Sequence, residues 1–374
     1  MPKLLYIANQ RMPTEKAHGL QIAKMCEAFA GLGLEVELLA PTRHSVLKET
    51  LFEYYSVNNN FKFKRVFTPD FYLPGKLDFI AFLVKNFISA LTLFFYAMRE
   101  KADIIFSRDE LPLYFLSFFR KNLVFEAHKY SKSKSIFYKR FNGLGLKTIV
   151  ISDGLKNAFL KFGFNEKNLL TSADGVDLEE FDIDITKEEA RKRVGLPLDK
   201  KIILYSGQFF SWKGVDVLME ASDNFKNELF VFVGGISGDP NVFKGKFGGR
   251  ENILMLGQKP HKKIPYFLKA ADALVLPNKK DGQISEFYTS PLKLFEYMAS
   301  GRPIVASDLP SIREILNERN AIIVEPNNAR TLADGIKKAI HDTDFSEKIA
   351  IKALEDVKNF TWAKRTEKII GFIS

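Results

Sequence analysis

The sequence predicts an α/β protein of two doubly wound domains whose parallel sheets face each other across a cleft. Three observations predict this class. Short runs rich in β-branched and aromatic residues recur from end to end with little polar alternation, which is typical of strands buried on both faces. Stretches of helix length separate these runs, and parallel strands need such connections. The chain also has 374 residues, which is more than one core usually supports.

The strand-like runs follow one another in two groups. They occupy residues 3–9, 36–41, 102–107, 123–128 and 148–152 in the first half, and 201–207, 229–235, 253–257, 273–277, 303–307 and 321–325 in the second. Between the groups the sequence becomes polar and charged and ends at Gly195-Leu196-Pro197, which is typical of a domain boundary. We therefore expect a first domain over residues 1–177, a linker over 178–200, a second domain over 201–358 and a C-terminal helix within 359–374.

Composition excludes several classes of protein. Hydrophobic residues make up 46% of the chain and charged residues 27%, so a disordered chain and a disulfide scaffold are both excluded. The single cysteine, Cys26, cannot close an intrachain disulfide, and it lies in an apolar helix pattern. The sequence from Met1 runs into a strand pattern without the features of an export leader. We therefore expect a cytoplasmic location.

The net charge of +10 is concentrated in the first half of the chain. Residues 1–178 contain 25 Lys and Arg against 17 Asp and Glu, a balance of +8, and the remaining residues contain 30 against 28, a balance of +2. A basic half suggests an anionic partner such as a phosphorylated substrate, a nucleic acid or a membrane surface. Nucleic acid is disfavoured because the aromatic residues lie mostly in core-type runs.

Residues 79–98 form an apolar stretch that nearly reaches the length of a membrane span, about 20 residues. Lys85 and Asn86 lie inside it, so we favour a buried or interdomain helix over a helix lying on a membrane or acceptor surface, and a true span is the least favoured interpretation. If the helix were exposed, its cationic neighbours would favour anionic lipid headgroups. These neighbours are Lys62, Lys64, Arg65, Lys76, Arg99 and Lys101.

Several kinds of active site are not present in the sequence. The turn after the first predicted strand lacks the Gly-x-Gly-x-x-Gly spacing of a dinucleotide site, and no Gly-x4-Gly-Lys-Ser/Thr loop or Gly-x-Ser-x-Gly elbow occurs. The five histidines show no ligand spacing among themselves. These observations favour transfer chemistry that uses neither a redox cofactor nor a permanent metal.

Residues 288–308 contain the most informative pattern. Thr289-Ser290-Pro291 predicts a helix start with a hydroxyl N-cap and Pro at the first helical position, and the free N–H groups of that turn form an anion site. Lys293 lies in the first turn, where a cation is unfavourable against the helix dipole unless an anion binds nearby. Glu296 follows one turn later, where its carboxylate can accept hydrogen bonds from sugar hydroxyls.

A second basic motif opens the second domain. A predicted strand ends at Gly207, a short loop follows, and Lys213-Gly214 precedes an amphipathic helix. Ligands bind at the carboxyl ends of strands in doubly wound sheets, so a lysine here can reach phosphate oxygens. Taken alone, Lys213 has the ordinary interpretation of a solvated loop residue. Together with Lys293 it indicates a clamp for a diphosphate.

These motifs occur in an order known from one family. Over nearly its whole length the chain resembles the retaining, nucleotide-sugar-dependent glycosyltransferases of family 4, which have the GT-B architecture of two Rossmann-like domains. The resemblance is carried, in order, by Ala17-His18-Gly19-Leu20-Gln21, Glu126-Ala127-His128, residues 150–155, residues 174–181, Lys213-Gly214, residues 293–301 and Phe360-Thr361-Trp362.

The resemblance implies roles for individual residues. Glu296 matches the second acid of a Glu-x7-Glu motif, which holds the donor ribose, and Lys213 matches the residue that neutralises the donor diphosphate. His128 matches a histidine near the donor sugar, which it would orient. Gly19, in the loop after the first strand, would let its backbone approach the donor phosphates. Main-chain groups at residues 257–260 would hold the base, and the C-terminal helix would cross back to brace the first domain.

The sequence departs from the family pattern at two positions. Tyr288 stands where the first acid of the motif is expected, with Glu286 two residues away, and Gln208 stands where the family has an arginine. The residues implied in catalysis are His128, Lys213, Lys293 and Glu296. Those implied in donor binding are Gly19, Gly207, Gln208, Lys213, Gln258, Lys259, Pro260, Glu286, Tyr288, Thr289, Ser290, Pro291, Leu292, Lys293 and Glu296.

The implied reaction moves a sugar from a nucleoside diphosphate to a hydroxyl of a glycan, polysaccharide or lipid-linked acceptor, with retention of configuration. UDP is favoured over GDP as the commoner case. No metal is expected, because Asp182-Ile183-Asp184, which has a metal-binding spacing, lies in the polar linker. We also expect peripheral contact of the basic first domain with the inner face of an anionic membrane. The alternatives are a GT-B nucleotide-sugar epimerase and a non-catalytic protein that binds anionic surfaces.

Overall fold

The computed structural model describes residues 1–45, 47–235 and 249–374, and these separate into two compact units. The first unit comprises Met1–Ala173 together with Trp362–Ser374, and the second comprises Asp174–Thr361. The chain therefore leaves the first unit after residue 173 rather than 177, and its last helix belongs to the first unit.

The first unit contains a parallel sheet that includes every strand predicted for the first half. The strands pair in the order β3-β2-β1-β4-β5-β6-β7. The inner strand β1 is fully buried from Leu4 to Ile7, as a strand covered on both faces should be. The strands are β1 (Lys3–Ile7), β2 (Glu35–Pro41), β3 (Lys62–Val66), β4 (Ile104–Ser107), β5 (Leu123–Ala127), β6 (Lys147–Val150) and β7 (Leu169–Thr171).

The two strands that the sequence pattern did not predict lie at the two edges of this sheet. β3 reads KFKRV, and its side chains are exposed or half-buried. β7 has only three residues. Edge strands are kept short or charged because their unpaired side would otherwise recruit another strand. They consequently lack the continuous apolar run by which the inner strands were recognised.

Helices connect the strands of the first unit. They are α1 (Ala17–Gly31), α2 (Leu51–Tyr55), α3 (Asp78–Arg99), α4 (Glu110–Leu116), α5 (Ser135–Gly143) and α6 (Asp153–Phe162), with short 3₁₀ turns at Gly75–Leu77, Lys132–Lys134 and Glu166–Asn168. The C-terminal helix, Trp362–Ile373, packs on α1. This helix lies within residues 359–374, where the sequence predicted a C-terminal helix.

A buried ion pair attaches the C-terminal helix to the first unit. Arg365 donates to the carboxylate of Glu126, which also accepts from Gln21 at 3.0 Å and from the hydroxyl of Tyr6 at 3.2 Å. Arg365 Nε donates to the carbonyl oxygen of Ala173 at 2.8 Å. Burial alone would raise the pKa of Glu126, but Arg365, His128 and Arg108 together outweigh it and hold that pKa well below its ordinary value.

The second unit contains a parallel sheet of order β10-β9-β8-β11-β12-β13 among its described residues. The strands are β8 (Ile202–Ser206), β9 (Leu229–Val233), β10 (Ile253–Met255), β11 (Ala273–Leu276), β12 (Ile304–Ser307) and β13 (Ile322–Val324). Each was predicted. The carboxyl ends of β8 to β11 share one edge of the sheet, so the loops after them can form one site.

The second unit has helices α7 (Leu178–Phe181), α8 (Lys187–Val194), α9 (Val215–Ala221), α10 (Ile264–Ala270), α11 (Gln283–Glu286), α12 (Leu292–Ala299), α13 (Pro310–Arg313), α14 (Ala329–His341) and α15 (Thr343–Asp356). Short 3₁₀ turns lie at Ser211–Lys213, Ser222–Asn224, His261–Lys263 and Val357–Asn359.

The segment 178–200, expected to be a linker, is instead part of the second unit. Its helix α8 begins with a capping box between Thr186 and Glu189. Arg191 is buried, and its Nε donates to the carbonyl oxygen of Ala270 at 3.0 Å. Asp272 accepts from Arg191, which joins α8 to the start of β11. The polar composition of this segment therefore reflects a charged, packed helix.

Helix α3 does not match the expectation of a buried helix. Its large apolar side chains face the solvent, and Phe79 and Phe82 are 65% and 57% exposed. Small residues such as Ala81 and Ala97 form its buried side. Together with the turn before it, α3 is also long enough and apolar enough to cross a membrane, judged by length and composition alone.

Candidate functional site

Three loops at the carboxyl edge of the second sheet are joined by main-chain hydrogen bonds. The N–H of Gly207, after β8, donates to Val233 at 2.8 Å, and the N–H of Gly234, after β9, donates to Gly257 at 2.9 Å. A Cβ at Gly234 would lie 1.7 Å from the carbonyl oxygen of Gly207. The loops therefore approach so closely that a side chain at Gly234 would separate them.

Lys293 projects from the first turn of α12 into this edge. Its side chain is only 7% exposed, and its Nζ lies 3.8 Å from the centroid of the Tyr205 ring. A Cβ at Gly207 would lie 3.8 Å from the same Nζ. Among the described residues, none offers this ammonium a hydrogen bond. Burial lowers the pKa of Lys293 well below its ordinary value, and the nearby charge of Lys213 lowers it further.

Lys213 is the second cation of this edge. It ends a 3₁₀ turn, and Gly214 follows with φ of 69°. A Cβ at Gly214 would lie 1.7 Å from the carbonyl oxygen of Pro277, so the turn packs directly against the end of β11. The Nζ of Lys213 lies 4.1 Å from the centroid of the Trp212 ring, and burial lowers the pKa of Lys213 to about 8.

The expected pair of lysines is therefore brought together, and its electrostatics are those of an anion site. Each amine is partly removed from water, and the charge of Lys213 disfavours the charged form of Lys293. An anion between Lys213 and Lys293 would remove both penalties, because charge-assisted hydrogen bonds to phosphate oxygens are strong where water is excluded. The arrangement can thus accept a ligand with at least two negative charges.

Glu296 lies one turn after Lys293, and a histidine that the sequence pattern did not single out holds its carboxylate. His261 Nε2 lies 3.1 Å from Glu296 Oε1, and its Nδ1 lies 2.8 Å from Glu180 Oε1. Burial alone would lower the pKa of His261, but the two carboxylates outweigh it and raise that pKa to about 10. His261 is therefore an imidazolium that bridges two acids at neutral pH.

No spacing rule could have found this bridge. His261 is 81 residues from Glu180 and 35 from Glu296. The available signal was its position directly after β10 and the expected base-binding residues, at the carboxyl edge where site residues collect.

Asn278 is another buried polar residue that the sequence pattern did not indicate. It follows β11 and is fully buried. Within the described part of the chain, neither the nitrogen nor the oxygen of its side-chain amide has a hydrogen-bond partner. Its main-chain nitrogen would lie 3.5 Å from a Cβ at Gly214, so Asn278 adjoins the turn that carries Lys213.

The start of α12 differs in detail from the predicted helix cap. Pro291 is the N-cap rather than the first helical residue, which is Leu292, and no side chain caps the helix. The hydroxyl of Ser290 accepts instead from the N–H of Asp174 at 2.9 Å. Thr289 is buried. The predicted hydroxyl cap is therefore wrong, because Ser290 is used to hold the start of the second unit, whereas the first-turn position of Lys293 is as expected.

The two unusual positions of the motif lie just before this helix. Tyr288 is buried, and its hydroxyl donates to the side-chain oxygen of Gln283 at 3.2 Å. Glu286 is half-buried at the end of the short helix α11. Tyr288 thus serves packing and a local hydrogen bond in the place of the expected acid.

The remaining predicted donor residues follow β8 and β10. The hydroxyl of Tyr205 donates to the main-chain carbonyl of Gln208 at 2.9 Å, which shapes the loop after Gly207. Gln258 and Pro260 are exposed and Lys259 is half-buried after β10. These residues therefore lie at the same edge as the lysines, where the carbonyl oxygen of Pro260 accepts from the N–H of Lys263 at 2.9 Å.

Two predicted site residues belong to the first unit. His128 follows β5, and its Nε2 lies 3.3 Å from Glu126 Oε1. Gly19 is not in a loop as expected but in the first turn of α1. A Cβ there would lie 2.0 Å from the hydroxyl oxygen of Tyr55 and 2.7 Å from Thr14 Cγ2. The packing of these two side chains is therefore a sufficient reason for glycine at position 19.

Comparisons with known proteins show what the second unit is similar to. Residues 186–356 match the family model described as glycosyl transferases group 1. TuaC of Bacillus subtilis is 28% identical over 232 residues, which cover 61% of this chain and 56% of the relative. A D-inositol 3-phosphate glycosyltransferase of Xylanimonas cellulosilytica is 27% identical over 201 residues, covering 50% of this chain and 46% of the relative. The matches thus span about half the length of these relatives.

A solved structure resembles the whole chain. HepE of Anabaena, crystallised with UDP and glucose, has a TM-score of 0.75 at 16% identity and covers 99% of each chain. At this identity the likeness shows the fold alone. The α/β class with two Rossmann-like parallel sheets is therefore confirmed, as is the resemblance to group 1 glycosyltransferases of GT-B fold.

Proposed function

We propose that the chain transfers a sugar from a nucleoside-diphosphate sugar, with UDP favoured over GDP, to a hydroxyl acceptor. The observation that carries the proposal is the pair Lys213 and Lys293 at the carboxyl edge of the second sheet. Lys293 is buried without a hydrogen-bond partner in the described chain. A buried amine in that state costs free energy, and the cost is recovered when the diphosphate of a donor binds. The matched family and the UDP bound by HepE support the same ligand class.

The two lysines would act on the leaving group. As the bond between the sugar and the diphosphate breaks, negative charge grows on the phosphate oxygens and the sugar acquires oxocarbenium character. Lys213 and Lys293, already in place, would stabilise that charge, and such preorganised groups are often the largest contribution to catalysis. The expected clamp consists of side chains alone, so we propose a reaction that needs no metal.

Glu296 would hold the donor by its ribose hydroxyls. Its carboxylate is oriented by His261, whose second nitrogen is fixed by Glu180. Main-chain groups after β10, at Gln258 and Lys259, would contact the base. The proposed retention of configuration follows a front-face route, in which a leaving-group oxygen takes the acceptor proton and His128 orients the sugar.

The acceptor is proposed to be a glycan, a polysaccharide or a lipid-linked sugar. The basic first half of the chain supports an anionic or membrane-bound acceptor, since residues 1–178 carry a balance of +8. With this acceptor class, the protein would work in the cytoplasm at the inner face of a membrane.

Donor binding can be tested by calorimetry and by thermal shift. UDP should raise the melting temperature of the wild type by mass action, and GDP should raise it less. Lys293→Ala and Lys213→Ala should abolish the shift, whereas Lys348→Ala, which removes an exposed lysine of α15, should retain it. An unchanged UDP affinity in the double variant Lys213→Ala Lys293→Ala would contradict the assignment.

Turnover separates the transferase from an epimerase. With donor alone the protein should release little free UDP, and an acceptor should start its release. Activity should persist in excess chelator, and the product should keep the anomeric configuration of the donor by NMR. Loss of all activity in chelator would contradict the clamp of lysines.

A further inference from the structure

Helix α3 buries small side chains and exposes large ones, the reverse of an ordinary surface helix. Its buried side consists of Ala81, Lys85, Ser89, Ala90, Leu93 and Ala97. We call its exposed side the α3 face, defined by Phe79, Ile80, Phe82, Leu83, Val84, Phe87 and Phe95, which are 42% to 65% exposed. A surface helix normally turns its apolar stripe toward the core. A contiguous apolar surface of this kind marks an interaction site.

Polar contacts hold the inner side of α3 to the first unit. Asn9, after β1, donates to Asn86 Oδ1 at 2.9 Å and accepts from Ser89 at 2.6 Å. Lys85 Nζ lies 3.3 Å from Asp70 Oδ1. A helix surrounded by hydrocarbon could not keep these partners without carrying the unit with it. Helix α3 therefore lies along the surface of the first unit with one side free.

The apolar surface continues beyond α3. The ring of Phe119, which follows α4 and is 64% exposed, lies 5.6 Å from Phe94 on α3. Tyr72, 65% exposed, covers Lys85 at 3.6 Å from ring centroid to Nζ. The surface is thus broader than a single helix stripe.

Exposed cations lie at both ends of α3 and on the neighbouring strand β3. Lys76 precedes the helix, and Arg99 and Lys101 lie at its end, and β3 adds a further basic run next to it. All six cations named from the sequence are exposed, namely Lys62, Lys64, Arg65, Lys76, Arg99 and Lys101. An apolar surface with a cationic border complements an anionic lipid interface. A second copy of this chain would instead bring two such borders together at a cost in like-charge repulsion.

We propose that the α3 face docks the protein on an anionic lipid bilayer, with α3 lying in the interface between headgroups and acyl chains. The helix has 22 residues, so at about 1.5 Å per residue it covers about 33 Å of membrane surface. Its aromatic and aliphatic side chains enter the acyl boundary, and the cations contact lipid phosphates. Because Asn9 links α3 to the end of β1, docking holds that strand end beside the lipid surface.

Vesicle flotation of the full chain tests this proposal. The wild type should float with vesicles of phosphatidylglycerol and phosphatidylcholine, and less with phosphatidylcholine alone. The variant Phe79→Ser Phe82→Ser Phe87→Ser should bind the anionic vesicles about tenfold more weakly or worse. The matched control, Ile351→Ser Leu354→Ser, changes two exposed apolar residues of α15 and should bind like the wild type. Each of Lys76→Gln, Arg99→Gln and Lys101→Gln should weaken binding about fivefold at low salt.

Three results would overturn the proposal. The triple Phe variant could bind vesicles as well as the wild type. The wild type could be a dimer by sedimentation equilibrium that the triple variant dissociates, which would make a second copy the occupant. The protein could remain in the membrane after extraction with alkaline carbonate, which would indicate that α3 crosses the bilayer. An unchanged UDP thermal shift shows that the triple variant is folded, and flotation needs no donor, so failure of docking is distinct from failure of the proposed transfer.

Discussion

Each unit contains a buried ionisable side chain, and the two differ in the hydrogen-bond partners that the fold provides for them. In the first unit the Glu126 carboxylate is fully buried but receives Arg365, Gln21 and the hydroxyl of Tyr6. In the second unit Lys293 is also buried, but no described residue gives its ammonium a hydrogen bond, and its Nζ lies against the face of the Tyr205 ring. The carboxylate stays ionised, whereas the amine has a pKa well below its ordinary value.

This difference distinguishes a charge that supports the fold from one that awaits a ligand. A buried charge with several partners stabilises the elements that supply them, and removing one partner is costly. A buried charge without partners is a cost that the fold carries, and perturbed groups of this kind are found at functional sites. The two clusters should therefore respond oppositely to substitution.

The largest effect is expected in the first unit. Arg365→Met leaves Glu126 buried without its counter-charge, which should lower the free energy of unfolding by about 3–5 kcal/mol. The loss can be measured by urea denaturation followed by circular dichroism. Adding Glu126→Gln should restore much of the stability, because the uncompensated charge is then gone. Lys364→Met on the same helix is an exposed control and should change stability by less than about 0.5 kcal/mol.

In the second unit the corresponding change should stabilise the free protein while it abolishes function. Lys293→Met keeps an apolar chain of similar length and removes the unsatisfied amine, so the unfolding free energy should rise by about 1–3 kcal/mol. Transfer should fall about 10²–10³-fold, since one group that stabilises the leaving group is lost. Differential scanning calorimetry measures the change in stability, and a turnover assay measures the loss of transfer. A destabilised Lys293→Met would remove the contrast between the clusters.

The sequence pattern could predict the features that burial and strand order determine. The inner strands were predicted because their burial on both faces leaves continuous apolar runs, whereas β3 and β7 lie at sheet edges and leave none. The proximity of Lys213 to Lys293 follows from strand order and loop position, which the α/β pattern and the family resemblance both contain.

Contacts between residues far apart in sequence were beyond prediction. The bridge of His261 between Glu180 and Glu296 depends on three elements meeting, and the use of Ser290 by Asp174 depends on where the second unit begins. The sequence also favoured burial for α3, whose large apolar side chains are exposed. An apolar stretch has the same sequence pattern whether it packs on the core or faces a surface outside the protein.

The pH dependence of the second unit should sharpen the same contrast. Lys213 has a pKa of about 8 in the folded protein against 10.5 for an ordinary lysine, so the folded state binds fewer protons between these values. Stability of the free protein should therefore rise with pH across that window. A bound diphosphate reverses the shift, so binding takes up protons and UDP affinity should fall above about pH 8, by up to about tenfold per pH unit.

Calorimetry in two buffers of different ionisation enthalpy measures this proton uptake directly. In Lys213→Met the rise in stability between pH 8 and 10.5 should be smaller than in the wild type. UDP binding without proton uptake at pH 8 would show that both lysines are already fully charged in the free site, which would contradict a lowered pKa for Lys213.

The smallest effect concerns the charge that is compensated within the site itself. His261→Gln can still donate to one carboxylate but lacks the positive charge that holds Glu296 and Glu180 together. One weakened hydrogen bond should raise the KM for the donor about fivefold while kcat changes by less than about twofold.

In the wild type this KM should show no titration of His261 near pH 6.5, because the pKa of His261 is raised to about 10 and the bridge is lost only above that value. His341→Gln, at an exposed position, is the matched control. If kcat fell and KM stayed constant, His261 would act on the transition state rather than by positioning Glu296, and the second unit would contain a third group of the leaving-group clamp.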